Sequence, residues 1–292
     1  MKLLSFGEIL WDVYPDQKHL GGAPLNFAAH FAKQGEDGEA YMLSSLGDDE
    51  LGKDALDKLS AWKVNDRYVS LLSDKETGKC LVTLNEHGVP SYEIVRESAY
   101  DYIDCSAVDD NFDALYFGTL ALRNEHNRNQ LVSLINSHKF KEIFADVNLR
   151  KPFISRESMM LCLENATVIK ISDEELPVFS QTVFGREYDC NETVGVIAKQ
   201  FSNIKLVIIT MGEKGSLAYD CVNDQTFSCA AQKVKVASTV GAGDSFSAAF
   251  LYKFMSGSDI DTCLNAASKV SAYVVSKTEA VPEYDANVLL AD

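Results

Sequence analysis

Short runs of Val, Ile, Leu and aromatic residues recur along the chain as KLLSF, AYMLSSL, ALYFG, EIFADV, TVIKI and KLVIIT, with longer amphipathic stretches between most of them. A strand buried on both faces reads as a near-continuous apolar run, whereas a strand with one wet face alternates. The pattern therefore predicts an α/β protein with a mostly parallel central sheet and helices on both sides. One segment breaks the rhythm. GKCLVTLNEHGVPSYEIV is two strand-like runs joined by a turn containing Gly88 and Pro90, and it reads as an antiparallel hairpin. Together with residues 11–20, the segment 77–97 is expected to form a small β-sheet lid beside the main sheet. No repeat, low-complexity tract or linker divides the chain, so residues 1–292 are expected to form one domain.

The stretch KVKVASTVGAGDSFSAAFLYKF carries the sharpest chemical signal. Val234 and Val236 alternate as a strand would, Gly241-Ala242-Gly243 turns the chain, and Phe246, Phe250 and Phe254 follow at helical spacing. Asp244 thus falls in the first turn of a helix. Free N–H groups and the positive dipole end favour an anion there, and glycine lets a phosphate approach the backbone. A Walker loop places Lys-Ser or Lys-Thr after its last glycine; here Asp-Ser follows. The loop offers donors without a cation, and its carboxylate could take a proton from an attacking hydroxyl while the N–H groups stabilise the transferring phosphoryl group. An aspartate that merely complements the helix dipole is the plainer alternative.

Composition narrows the partners. Against 27 basic residues stand 43 acidic ones, a formal charge of −16, and no basic run interrupts them, so nucleic acid is not an expected partner. Glu8 and Asp12 break the apolar start, and no 18-residue apolar span occurs, which points to a cytoplasmic protein with no membrane partner. Seven scattered cysteines without a Cys-x-x-Cys pair fit reduced thiols. The five histidines have no metal-ligand spacing.

TVGAGDSF resembles the C-terminal signature of the PfkB carbohydrate kinase family, the ribokinase-like sugar kinases. GEILWDVYP, GGAPLNFAAHFAKQG, SLGDDELG, DVNLRKP, KISDEEL, VIITMGEKGSLAY and NAASKVSAYVVSKTEAVP are similar to further family segments in the family's order, spanning about residues 3–282. GEILWD and DVNLR look most like the fructokinase branch. The resemblance implies a three-layer α/β/α ribokinase-like fold and an ATP-dependent kinase, fructose being the first acceptor. Ribose, 2-keto-3-deoxygluconate and nucleosides remain alternatives, as does a non-catalytic sugar or nucleotide sensor.

Carried over by position, Asp244 is the implied base, with Gly241, Ala242 and Gly243 as the anion hole. Asp12, Gly22 and Asn26 are implied sugar ligands. Each has a plainer role open to it: a solvated carboxylate, a turn, a helix cap. Arg150 is a candidate for neutralising phosphate charge. Thr210, Gly212, Gly215 and Asn265 fall where the family binds the nucleotide. Glu175 matches the glutamate of the family's Asn-x-x-Glu segment, which is associated with magnesium, although Ser172 stands where the asparagine would be. Ser238 replaces an aspartate that helps relatives hold a monovalent cation. Mg2+ is expected chiefly through ATP phosphates and water. A homodimer through the lid is also allowed.

Overall fold

The computed structural model describes residues 1–84 and 90–291. The chain opens with β1 (Lys2–Phe6), β2 (Leu10–Val13), β3 (Lys18–Gly21), α1 (Ala23–Ala32), β4 (Glu39–Gly47), α2 (Glu50–Ala61), β5 (Val64–Leu72), β6 (Gly78–Leu84) and β7 (Pro90–Ile94). It continues through β8 (Ala114–Gly118), α3 (Glu125–Ser137), β9 (Glu142–Asp146), α4 (Arg156–Asn165), β10 (Val168–Ser172), α5 (Leu176–Phe184) and α6 (Cys190–Gln200). The last part holds β11 (Leu206–Thr210), β12 (Ser216–Asp220), β13 (Gln225–Cys229), α7 (Ala242–Met255), α8 (Ile260–Val275) and α9 (Ala286–Leu290).

Nine strands form one sheet in the order β13-β12-β11-β10-β9-β8-β1-β4-β5, parallel except where β12 pairs with its two neighbours. Alternate residues of its strands feed two separate cores. Leu4, Phe6, Ile169, Ile171, Val207 and Ile209 pack with side chains of α3, α4, α5 and α6. Leu3, Met42, Tyr116, Phe144, Val168 and Ile208 pack with α1, α2, α7 and α8. The three-layer α/β/α arrangement thus explains the continuous apolar runs. On α1, Phe27 stacks on Tyr116 of β8 with ring centroids 3.7 Å apart, fixing that helix against the sheet.

The second sheet has the order β3-β2-β6-β7, and β6 pairs with β7 antiparallel, as the hairpin pattern predicts. Gly88, in the expected turn, lies outside the described residues. Two anchors hold the base of this sheet: Trp11 Nε1 donates to the Leu51 carbonyl at 3.0 Å, and the Thr77 hydroxyl donates to Asp49, the N-cap of α2, at 2.7 Å.

One strand expectation fails. Val234 and Val236 belong to no strand; both are exposed, and no neighbouring strand pairs with their backbone. Alternation alone does not make a strand where a segment has neither a sheet edge nor a core to face.

Candidate active site

Polar residues gather at the C-terminal ends of the parallel strands. Asp146 ends β9, Ser172 ends β10 and Thr210 ends β11, the crevice where open α/β sheets place ligands. Over it stands the start of α7. Gly241 has φ +79°, and a Cβ there would fall 2.4 Å from the Ala280 carbonyl oxygen, so glycine is required on both counts. Ser245 N–H makes the first i to i−4 bond, to Gly241 O at 2.9 Å, and Ala242 N–H reaches Thr239 O at 3.3 Å. The N–H groups of Gly243 and Asp244 are left without an intrahelical acceptor.

Asp244, in this first turn, is buried and accepts a 2.8 Å hydrogen bond from Asn26 Nδ2 on α1. Burial pushes its carboxyl up to about 6, with Asp146 adding to the rise while Asn26, Lys170 and Arg150 oppose it. It is therefore mostly ionised at neutral pH, yet basic enough to accept a proton.

The cation absent from the turn itself comes from β10. Lys170 Nζ lies 3.4 Å from the position a Gly243 Cβ would take, directly against the turn, and donates to both oxygens of Asp146 at 2.8 and 2.9 Å. Burial works against the Lys170 charge, but Asp146, Glu175 and Asp244 outweigh it and hold the ammonium above its usual range. Sequence reasoning missed Lys170 and Asp146 because TVIKI and EIFADV were read for their apolar periodicity. The available signal was a charged residue inside each buried run.

Glu8, following β1, stands out in the sequence only as a break in the apolar start, with no site role attached to it. Its carboxyl is buried and pushed up to about 7; backbone N–H groups and Arg150 oppose that shift, and Asp244 adds to it. Oε2 of Glu8 and Oδ1 of Asn26 are buried with no hydrogen-bond partner among the described residues, a costly state that a ligand hydroxyl would relieve. Gly22, with φ +115°, presses on this residue, since a Cβ there would lie 2.3 Å from the Glu8 carbonyl oxygen. Asn26 lies within α1 rather than capping it. Asp12, on β2, sits opposite Cys80 of β6 and is half-buried; desolvation raises its carboxyl, and the Cys80 hydrogen bond and the Arg150 charge pull it back. Arg150 is exposed, so its head group is free to reach a ligand.

Gly215, Cys229 and Asn265 meet at a second location. A Cβ on Gly215 would lie 2.0 Å from the Cys229 carbonyl oxygen, and the Cys229 thiol donates to Asn265 Oδ1 on α8 at 3.4 Å. Gly212 opens the short turn between β11, which Thr210 ends, and β12. Glu175 spans two elements: Oε1 accepts from Leu149 N–H at 2.5 Å and Oε2 from Ser172 N–H at 2.9 Å. It retains lone pairs for a water or cation, but no group of three metal-ligating side chains occurs among the described residues. Ser238 uses its hydroxyl locally, accepting from Val240 N–H at 3.2 Å, and brings no carboxylate to the turn.

The profile of the pfkB family carbohydrate kinases matches residues 5–286. The chain belongs to that family of sugar kinases. Among curated relatives, fructokinase-2 of Oryza sativa subsp. japonica is 29% identical over 269 residues, covering 84% of this chain and 77% of the relative. The 5-dehydro-2-deoxygluconokinase of Bacillus subtilis is 29% identical over 287 residues, covering 91% and 84%. Among solved structures, the fructokinase of Vibrio cholerae O395, with fructose, ADP and calcium ion bound, superposes with a TM-score of 0.82 at 24% identity, covering 96% of this chain and 94% of that one. As a sugar kinase of this family the chain shares the ribokinase-like fold, and the curated relatives it resembles include both fructokinases and 5-dehydro-2-deoxygluconokinases.

Proposed function

We propose that this sugar kinase transfers the γ-phosphoryl group of ATP to a hydroxyl of a neutral ketose, with fructose as the first candidate. One observation carries the reading: a buried carboxylate, Asp244, held by Asn26 at the N-terminal turn of α7 with a buried ammonium, Lys170, against the same turn. The substrate hydroxyl gives its proton to Asp244 as its oxygen bonds to the γ-phosphorus, and the bond to the β-phosphate oxygen breaks to release ADP. The Gly241-Ala242-Gly243 turn, through the open N–H groups of Gly243 and Asp244 and the helix dipole, stabilises the charge in flight. Asp12, Gly22 and Asn26 hold other sugar hydroxyls, and Arg150 meets phosphate oxygens. Thr210, Gly212, Gly215 and Asn265 hold the nucleotide. A Mg2+ ion arriving with ATP would neutralise phosphate charge, with Glu175 as its protein-side partner through water.

The charge balance supports a neutral acceptor. Asp12, Glu8 and Asp244 are all sensitive to Arg150. Two nearby buried cations already face carboxylates: Lys170 with Asp146, and Arg123 with Asp101 at 2.7 Å, although Arg123 Nη1 has no hydrogen-bond partner among the described residues. A substrate carboxylate would add a negative charge to a carboxylate-rich site. The second reading, a sugar acid, draws on the Bacillus subtilis relative and would need Arg150 or the unpartnered Nη1 of Arg123 for that carboxylate. A coupled ADP-release assay decides between them: fructose should give the highest kcat/KM among fructose, ribose, adenosine, 2-keto-3-deoxygluconate and 5-dehydro-2-deoxygluconate. A tenfold lead for either acid would establish the second reading, and no turnover with any of them would sink the proposed kinase activity.

Two further parts belong to this reading. Seven free cysteines, none in a disulfide, accord with a cytoplasmic location. Exposed Leu81 and Tyr92 on the lid give a homodimer a surface to form on, which sedimentation would test.

A further inference from the structure

His30 lies one helical turn beyond Asn26 on α1 and is wholly buried. Its ring bridges two partners in the C-terminal segment: Nε2 is 2.9 Å from the Ala280 carbonyl oxygen and Nδ1 is 2.9 Å from the Tyr284 hydroxyl. Gln34 Nε2 donates to that hydroxyl at 3.1 Å and to His30 O at 2.9 Å. These contacts have one consistent direction. Ala280 O can only accept, so Nε2 carries the proton; Tyr284 then donates to Nδ1 and receives from Gln34. Burial keeps the imidazole neutral, pushing it down to about 4, so the bridge stays intact through the physiological pH range. Facing it are the Tyr284 ring, the Ala280 peptide and the Lys33 ammonium, which also opposes protonation.

Ala280 is the peptide against which Gly241 packs, its oxygen 2.4 Å from where a Gly241 Cβ would be. Helix α1 is therefore tied to the start of α7 twice: directly through Asn26 and Asp244, and three residues earlier through His30, Ala280 and Gly241. We propose that His30 is a positioning residue that sets the anion-hole turn relative to the base by holding the Ala280 peptide against Gly241. The inference rests on the phosphoryl-transfer reading for its consequence on rate, but the mechanical link stands on geometry alone. A small displacement of the N–H groups relative to Asp244 would cost turnover far more than it would cost sugar binding.

Two amide substitutions separate the contacts. In His30→Gln the amide reaches the Nε2 position and can still donate to Ala280, whereas in His30→Asn it reaches only the Nδ1 position beside Tyr284. His30→Asn should lower kcat about ten- to a hundredfold with the sugar KM within about twofold, and His30→Gln should recover most of that loss. Amide hydrogen exchange supplies a readout independent of activity: residues 239–243 should exchange about fivefold faster or more in His30→Asn than in His30→Gln, with β11 unchanged in both. Equal exchange of the turn in the two variants would overturn the inference, and so would a rise in KM matching the fall in kcat. If the unaltered protein turns over none of the sugars, the kinase reading fails while the exchange comparison still decides the role of His30.

Discussion

At the scale of single residues, the site is governed by what burial does to carboxylates. Asp244 must be ionised to accept a proton, and its value of about 6 places the loss of activity on the acid side: kcat/KM should fall as pH drops through about 6. Glu8, pushed up to about 7 chiefly by burial, titrates in the same range. A profile flat down to pH 5 would exclude Asp244 as the base. The same shift governs stability with a definite sign. The folded value lies above the ordinary carboxylate value, so between about pH 4 and 6 the folded state keeps a proton that the unfolded chain releases, and stability falls as pH rises through that window. Asp244→Asn should thus cut turnover about a hundredfold or more, yet be about 1–3 kcal/mol more stable than the parent at pH 8 and no more stable near pH 4. Urea unfolding at the two pH values measures the difference. The place of Asp244 in the first turn of a helix was legible because a glycine turn and a following helix leave a pattern in the sequence. Glu8, Lys170 and Asp146 were not, since their role comes from a convergence of β1, β9 and β10 that no local pattern records.

At the scale of elements, the apolar runs identify the interior strands because burial on both faces leaves them little freedom of composition. β5 escaped that reading: VNDRYVSLL is an edge strand with exposed Asn65, Asp66 and Arg67, and its polar half resembles a loop. Val234 and Val236 err the other way, since they have the alternation and lack a partner strand. Beneath the active-site turn, β9 and β10 are joined by the buried Asp146–Lys170 pair. Two opposite charges in a dry interior gain little over a well-packed apolar pair, but one left alone is expensive. Lys170→Met should therefore destabilise the protein by about 3–5 kcal/mol in urea unfolding, and adding Asp146→Asn should recover a large part of that loss. Turnover should stay low in the double variant, because the ammonium against Gly243 is gone. Recovery of both stability and turnover would make the pair purely structural.

For the whole molecule, the question is how a small four-stranded sheet serves a site built on a nine-stranded one. Its base is fixed: Thr77 donates to and accepts from the loop and cap before α2, and Trp11 is pinned to Leu51. Its outer part has less to hold it, since Leu81 and Tyr92 are exposed and a short hairpin has little core of its own. Asp12 lies on this sheet while Asp244 lies on α7, so a sugar held by both would join the two bodies. Closure would also exclude water, which otherwise competes with the sugar for the phosphoryl group. Amide exchange should accordingly slow in β6 and β7 when sugar is added, and slow further with a non-hydrolysable ATP analogue. The change should grow from Lys79, near the anchors, towards Val82 and Tyr92, while β9 and β11 change little. Protection that is equal with and without saturating sugar would mean that the small sheet is a fixed wall, and that Asp12 meets its ligand without any movement of the strand carrying it.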